Sequence, residues 1–175
     1  MELLIVSGLS GAGKSVAMNA LEDIGFFCID NIPAGLLPRI LDFAQQGENQ
    51  LSRVAVVMDI RGLHSVQETN EALEALDEKK MPYDILFLDA SDAAIRRRYK
   101  EARRVHPMSI SEGIPVSEAI TKERQILQPL RERAKYVIDT SLLSTAQNRE
   151  RVSSLFLQKG QCAMSINCLL YTSDA

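Results

Sequence analysis

Residues 3–15 read Leu3-Leu4-Ile5-Val6-Ser7-Gly8-Leu9-Ser10-Gly11-Ala12-Gly13-Lys14-Ser15. The continuous apolar run at the start predicts a strand covered on both faces. Gly8 to Ser15 match GxxxxGK[ST], the phosphate-binding loop or Walker A pattern. The physical demand behind that pattern is narrow. Backbone N–H groups must converge on a phosphate, and glycine permits both the dihedral angles and the close approach. A helix starting near Lys14 aims its free N–H groups and the positive end of its dipole at the same anion. Lys14 is the cation for the β- and γ-phosphates, and Ser15 is the hydroxyl ligand for Mg²⁺. The bland alternative is a glycine-rich strand–helix turn with a solvated lysine. The strand before it and the helical pattern after it (Val16, Ala17, Ala20, Leu21, Ile24) favour the phosphate loop.

Apolar runs and helical patterns alternate along the rest of the chain. Phe26–Asp30, Val54–Asp59, Ile85–Asp89 and Tyr136–Asp139 predict further strands. Helices are expected over about 14–24, 36–44, 66–80, 92–104 and 116–133, and again after Ser144. Gly25 reads as a helix stop and Pro33 as a helix start. Residues 105–115 read as a Pro/Ser/Gly-containing loop, and Pro129 is expected to disturb its helix. The sum is an α/β domain of the P-loop NTPase, nucleoside-kinase-like kind, with a mainly parallel five-stranded sheet flanked by helices.

The chain has 175 residues with 20 Lys+Arg against 23 Asp+Glu, a net charge of −3, which fits one domain without a global pull toward nucleic acid. A hydrophobic fraction of 46% and a charged fraction of 25% exclude a disordered chain, a collagen and a coiled coil. Without Trp, and with few Phe and Tyr, an aromatic platform for stacked bases is not expected. Cys28, Cys162 and Cys168 show no CxxC spacing and only two His are present, so a structural zinc site has little support. Reduced thiols in a cytoplasmic protein are expected. The N-terminus does not read as a signal peptide, and no apolar run approaches the ~20 residues needed to span a bilayer. Residues 1–155 read as the nucleotide-binding domain. Residues 156–175 lose periodicity and read as a truncated or non-native tail.

Asp59, at the end of Val54–Met58, is the preferred second carboxylate for Mg²⁺, with Arg61 within reach of a phosphate; Asp89 competes, and a capping role is the plain alternative. In the basic run Arg96-Arg97-Arg98-Tyr99-Lys100-Glu101-Ala102-Arg103-Arg104-Val105-His106-Pro107, Arg96, Lys100, Arg103 and Arg104 share a helical face. The run resembles the start of the lid in nucleoside kinases, with Arg103 acting on the transferred phosphate. His106 reads as a turn or packing residue in preference to a ligand contact, and Ser109, Ser111 and Gly113 suit a mobile lid. A solvated face or an RNA patch would explain the same charges. Asn-Lys-x-Asp is absent, so guanine specificity of the GTPase kind is not legible, and no residue is placed to orient an attacking water. Slow hydrolysis is expected. In the rival reading, a small-molecule kinase, Asp30 and Asn31 position an acceptor hydroxyl near the γ-phosphate.

Taken together, Gly8–Ser15, Glu22-Asp23-Ile24-Gly25-Phe26-Phe27-Cys28-Ile29-Asp30-Asn31-Ile32-Pro33, Leu86-Phe87-Leu88-Asp89-Ala90 and Arg103-Arg104-Val105-His106-Pro107 resemble the RapZ/YvcJ family of nucleotide-binding proteins over residues 1 to about 155. The resemblance implies a kinase-like P-loop domain with ATPase and GTPase activity and a regulatory or adapter role. It implies an ATP segment on Gly8–Ser15 and a GTP segment on Asp59, Ile60, Arg61 and Gly62, which are taken here as parts of one site for Mg²⁺ with ATP or GTP. Family members continue into a C-terminal domain that, in the adapter proteins, binds small regulatory RNA and an amino-sugar phosphate. This chain lacks a match to it, so RNA binding is not expected here. No membrane partner is expected, and assembly into a homo-oligomer stays open.

Overall fold

The computed structural model describes residues 1–46 and 51–157. The tail expected from 156 onward therefore falls, beyond Leu157, outside the described residues. The elements in chain order are β1 (Glu2–Gly8), α1 (Lys14–Asp23), β2 (Phe27–Ile29), a 3₁₀ turn (Ala34–Leu36), α2 (Leu37–Gln45), β3 (Arg53–Val57), α3 (Val66–Glu78), β4 (Tyr83–Asp89), α4 (Asp92–Ala102), α5 (Pro107–Glu112), α6 (Val116–Arg133), β5 (Tyr136–Asp139) and α7 (Thr145–Phe156). The strands form one sheet in the order β2-β3-β1-β4-β5, and every pairing is parallel.

β1 lies at the centre because both faces of its apolar run are covered. Leu4 and Val6 join Ala17, Leu21, Ile95, Val152 and Phe156 in the core beneath α1, α4 and α7. Leu3 and Ile5 point the other way, to Leu41, Leu73, Leu76, Leu127 and Leu130 of α2, α3 and α6. Alternation along a strand thus builds two cores from one four-residue run. Parallel strands carry their loops at the carboxyl edge, so the turns after β1, β2, β3 and β4 collect at one rim of the sheet.

The expected strands are all present, with β2 shortened to three residues so that Asp30 sits just beyond its end. Two expectations change. The segment read as a loop over 105–115 contains α5, which His106 caps by accepting the Met108 amide on Nδ1 (3.1 Å), with Pro107 preset at the first helical position. α6 passes through Pro129 without ending, anchored on either side by the fully buried Leu127 and Leu130. Among the described residues no helix is long and apolar enough to cross a membrane.

Candidate functional site

The turn after β1 is bent by necessity. Gly8 has φ 149°, and a Cβ there would stand 2.3 Å from the Leu88 carbonyl oxygen on the neighbouring strand. Gly13 has φ 99° and opens α1 without any side-chain cap. By contrast, Ser65, Ser91 and Ser144 cap α3, α4 and α7 with their side chains. The amides of Gly13, Lys14 and Ser15 make no hydrogen bond to the described residues. The loop carbonyls are instead tied to donors from the other end of the chain. Arg98 Nη1 donates to Gly11 O (3.0 Å), Thr140 Oγ1 to Ala12 O (2.7 Å) and Asn148 Nδ2 to Gly13 O (3.3 Å). Carbonyls held from behind and amides left free at a helix N-terminus make an anion cradle.

Lys14 folds back over the loop. Its Nζ donates to Gly8 O (2.9 Å) and Leu9 O (3.1 Å) and lies 3.9 Å from Asp59 Oδ2. Burial pushes the Lys14 pKa down, and the charges of Asp59 and Glu123 partly offset that push. Asp59, two residues past β3, is buried, and Arg61 grips it through Nε (3.0 Å) and Nη2 (2.9 Å). Arg61 Nη2 also reaches Asp30 Oδ1 at 2.8 Å, and the hydrogen bond to Asp59 is the main reason its pKa rises. Lys14, Ser15, Asp30, Asp59 and Arg61 line one open cleft of about 410 Å³. Asp89 faces a different cavity and is held by Arg124 (3.0 Å) and Arg131 (3.2 Å).

The rest of the 59–62 segment supports rather than lines the cleft. Ile60 is buried in the core on the α2 and α3 side, and a Cβ on Gly62 would lie 2.8 Å from the Ile32 carbonyl oxygen. Leu9 and Ala12 are likewise buried, so the loop meets a ligand with its backbone. For Mg²⁺ the available donors are the Ser15 hydroxyl and the Asp59 carboxylate. Among the described residues no group of three or more His, Cys, Asp or Glu could hold a metal unaided. Mg²⁺ in nucleotide sites takes one or two protein ligands and the phosphates of its nucleotide. Asp59 already attracts two cationic side chains, so the position favours positive charge.

The opposite wall comes from the end of α4 and the start of α5: Arg98, Tyr99, Ala102, Arg104, Val105 and Pro107. Arg103 is not among them. α4 stops at Ala102, Arg103 takes a left-handed φ of 50° as its C-cap, and the helical face expected for Arg96, Lys100, Arg103 and Arg104 is broken there. Arg98 lines the cleft instead and also donates to Thr140 Oγ1 (3.1 Å). His106 is fully buried beside Glu123, whose Oε1 accepts the Ser10 amide. Sequence reasoning passed over Glu123, Arg98, Thr140 and Asn148. Glu123 did carry a signal, because it interrupts the buried stripe Ala119, Ile120, Ile126, Leu127 of α6. Thr140 and Asn148 carried none.

Residues 1–160 match the RapZ-like N-terminal domain. The chain belongs to that family. Among curated relatives, a nucleotide-binding protein of Moorella thermoacetica is 49% identical over 158 residues, covering 88% of this chain and 52% of its own length. One from Alkaliphilus oremlandii is 42% identical over 161 residues, covering 92% of this chain and 55% of its own. The chain thus spans about half the length of these relatives. Solved structures share the fold of this RapZ-like domain at low identity. The tunicamycin resistance protein of Deinococcus radiodurans aligns with a TM-score of 0.62 at 15% identity, over 90% of this chain and 96% of its own. YorR of Bacillus subtilis, in complex with phosphorylated GDP, aligns at 0.56 and 15% identity, over 87% and 94%. Shikimate kinase of Bacteroides thetaiotaomicron aligns at 0.51 and 17% identity, over 88% and 96%. The RapZ-like domain therefore has a P-loop kinase-like fold.

Proposed function

We propose that the chain binds Mg²⁺ with ATP or GTP in the cleft beside the phosphate loop and releases the γ-phosphate slowly, its output being regulatory. The single observation that carries this reading is the uncapped start of α1, with free amides at Gly13, Lys14 and Ser15 and the Lys14 ammonium beside Asp59. The β-phosphate would lie on the amides, with Lys14 leaving its two carbonyl partners for the β- and γ-oxygens. Ser15 and Asp59 would hold the metal, which supplies charge neutralisation at the γ-phosphate. Arg98, joining Gly11 to Thr140, would sense the filled loop and pass the change to the wall formed by α4 and α5.

Slow hydrolysis follows from what the neighbouring carboxylates already do. Asp59 is engaged by Lys14 and Arg61, and Glu123 is buried with one oxygen accepting the Ser10 amide. Neither is free to orient water. Calorimetry of the chain with ATP and GTP, with and without Mg²⁺, followed by phosphate release, tests the reading. Saturable, Mg²⁺-dependent binding supports it; no heat at millimolar nucleotide rejects it.

A further inference from the structure

Two cavities meet at the phosphate loop. The smaller, about 150 Å³, is lined by Val16, Thr140, Leu143, Ser144 and Asn148; the larger is the 410 Å³ cleft. They share Gly11, Gly13 and Arg98, whereas Lys14, Ser15 and Asp59 line the larger alone. A P-loop lysine marks the β/γ end of a bound triphosphate. On the nucleotide-binding reading above, the nucleoside therefore lies on the smaller side and the γ-phosphate points into the larger cleft.

That cleft does not end at the γ-phosphate. It is also lined by the apolar Met18 and Val57, by Asp30 beside Arg61, and by Arg104 and Val105. Attack by water needs neither an apolar lining nor a further carboxylate. We propose that this extension seats a second substrate, a small hydroxylated anion whose hydroxyl accepts the γ-phosphoryl group.

Asp30 is set up for the hydroxyl. Its Oδ1 accepts the Asn31 amide (2.6 Å) and Arg61 Nη2 (2.8 Å), while Oδ2 accepts no hydrogen bond among the described residues. Asn31 holds the turn in a left-handed conformation, φ 59°, uncommon for a side-chain-bearing residue. Arg104 and Arg61 offer the positive charge for a carboxylate or phosphate. Arg61 already bridges Asp59 on the nucleotide side to Asp30 on the acceptor side, so both ligands meet one ionic network. In the transfer, the acceptor oxygen bonds to the γ-phosphorus and its proton passes to Asp30. The bond between the γ-phosphorus and the oxygen bridging to the β-phosphate breaks, and the nucleoside diphosphate leaves with that electron pair.

The test uses the chain with ATP and Mg²⁺, and with D-glycerate, gluconate and glycerol 3-phosphate as probes, the last separating phosphate from carboxylate recognition. At least one probe is expected to raise ADP release about tenfold and to emerge one phosphate heavier by mass spectrometry. Arg104→Met should raise the probe's KM about tenfold, and Asp30→Asn should lower kcat more than it raises KM. Both side chains are exposed and both variants should keep the circular dichroism of the parent. Nucleotide binding with no probe response, or a probe response indifferent to both substitutions, overturns the acceptor site and leaves nucleotide binding standing. Absence of nucleotide binding by the unmodified chain overturns both.

Discussion

His106 Nε2 and Glu123 Oε2 lie 2.6 Å apart with both side chains only 1% exposed. The other Glu123 oxygen accepts the Ser10 amide of the phosphate loop, and His106 Nδ1 caps α5. The Tyr99 ring, 5.7 Å from the imidazole, completes the path to the cleft wall. One buried carboxylate thereby sits between the tip of the phosphate loop and the start of α5. The arrangement accounts for the histidine of the Arg-Arg-Val-His-Pro string, whose ring is buried.

Replacing His106 with Ala should leave Glu123 buried with the Ser10 amide alone and cost about 1–3 kcal/mol of stability. His106→Asn should restore only the α5 cap. Urea denaturation checks this: the midpoint should fall in both variants, less for Asn, with an unchanged slope.

Lys14→Ala should abolish measurable nucleotide binding, a loss of about 2–5 kcal/mol if Lys14 meets the phosphates as proposed. Calorimetry reads it directly. The same residue makes a second, independent prediction. Its folded-state pKa lies below the ordinary 10.5, so between those two values the unfolded chain holds more protons than the folded one. Stability contributed at this position therefore rises with pH through that window, and Lys14→Ala should remove the rise. Thermal melts of both proteins across alkaline pH compare the slopes.

The cations near the loop should separate by position. Arg98 touches Gly11 and lines both cavities, so Arg98→Ala should weaken nucleotide affinity about tenfold. Arg103 is exposed at the end of α4, and Arg103→Ala should leave phosphate release within about twofold. A large loss of turnover in the Arg103 variant would instead return it to the lid role that its place in the sequence suggests.

Burial raises the Cys28 thiol from 9.0 to about 11, with Glu22 adding to the shift. The thiolate is the reactive form, so alkylation of a Cys162→Ser, Cys168→Ser variant by iodoacetamide should be slow near neutrality. Its rate should keep climbing, about tenfold per pH unit, past pH 9 toward pH 11. Levelling near pH 9 would contradict the burial.

The fold was legible because its signals were local and strong. Leu3–Val6 and Val54–Val57 are continuous apolar runs, and the loop between β1 and α1 can be read from eight residues. Asp59 was legible for the same reason, as an acidic residue directly after an apolar run. The brace behind the loop was not. Thr140 reaches Ala12 across 128 residues and Glu123 reaches Ser10 across 113, and no spacing rule links such pairs. α5 was missed because Pro and Gly at its borders read as loop residues, although Pro107 in fact starts the helix and Gly113, φ 67°, ends it. The end of α4 was misjudged because helical spacing says nothing about where a helix stops, and Arg103 already lies past the stop.

The Thr140 brace has a bearing on biogenesis. The phosphate loop leaves the ribosome before its brace does, because Ala12, Gly11 and Gly13 receive their partners from the later residues Thr140, Arg98 and Asn148. If the loop grips a polyphosphate as proposed, a growing polypeptide would carry the whole Walker pattern long before its brace, and competence would arrive late, when β5 and α7 close on the loop.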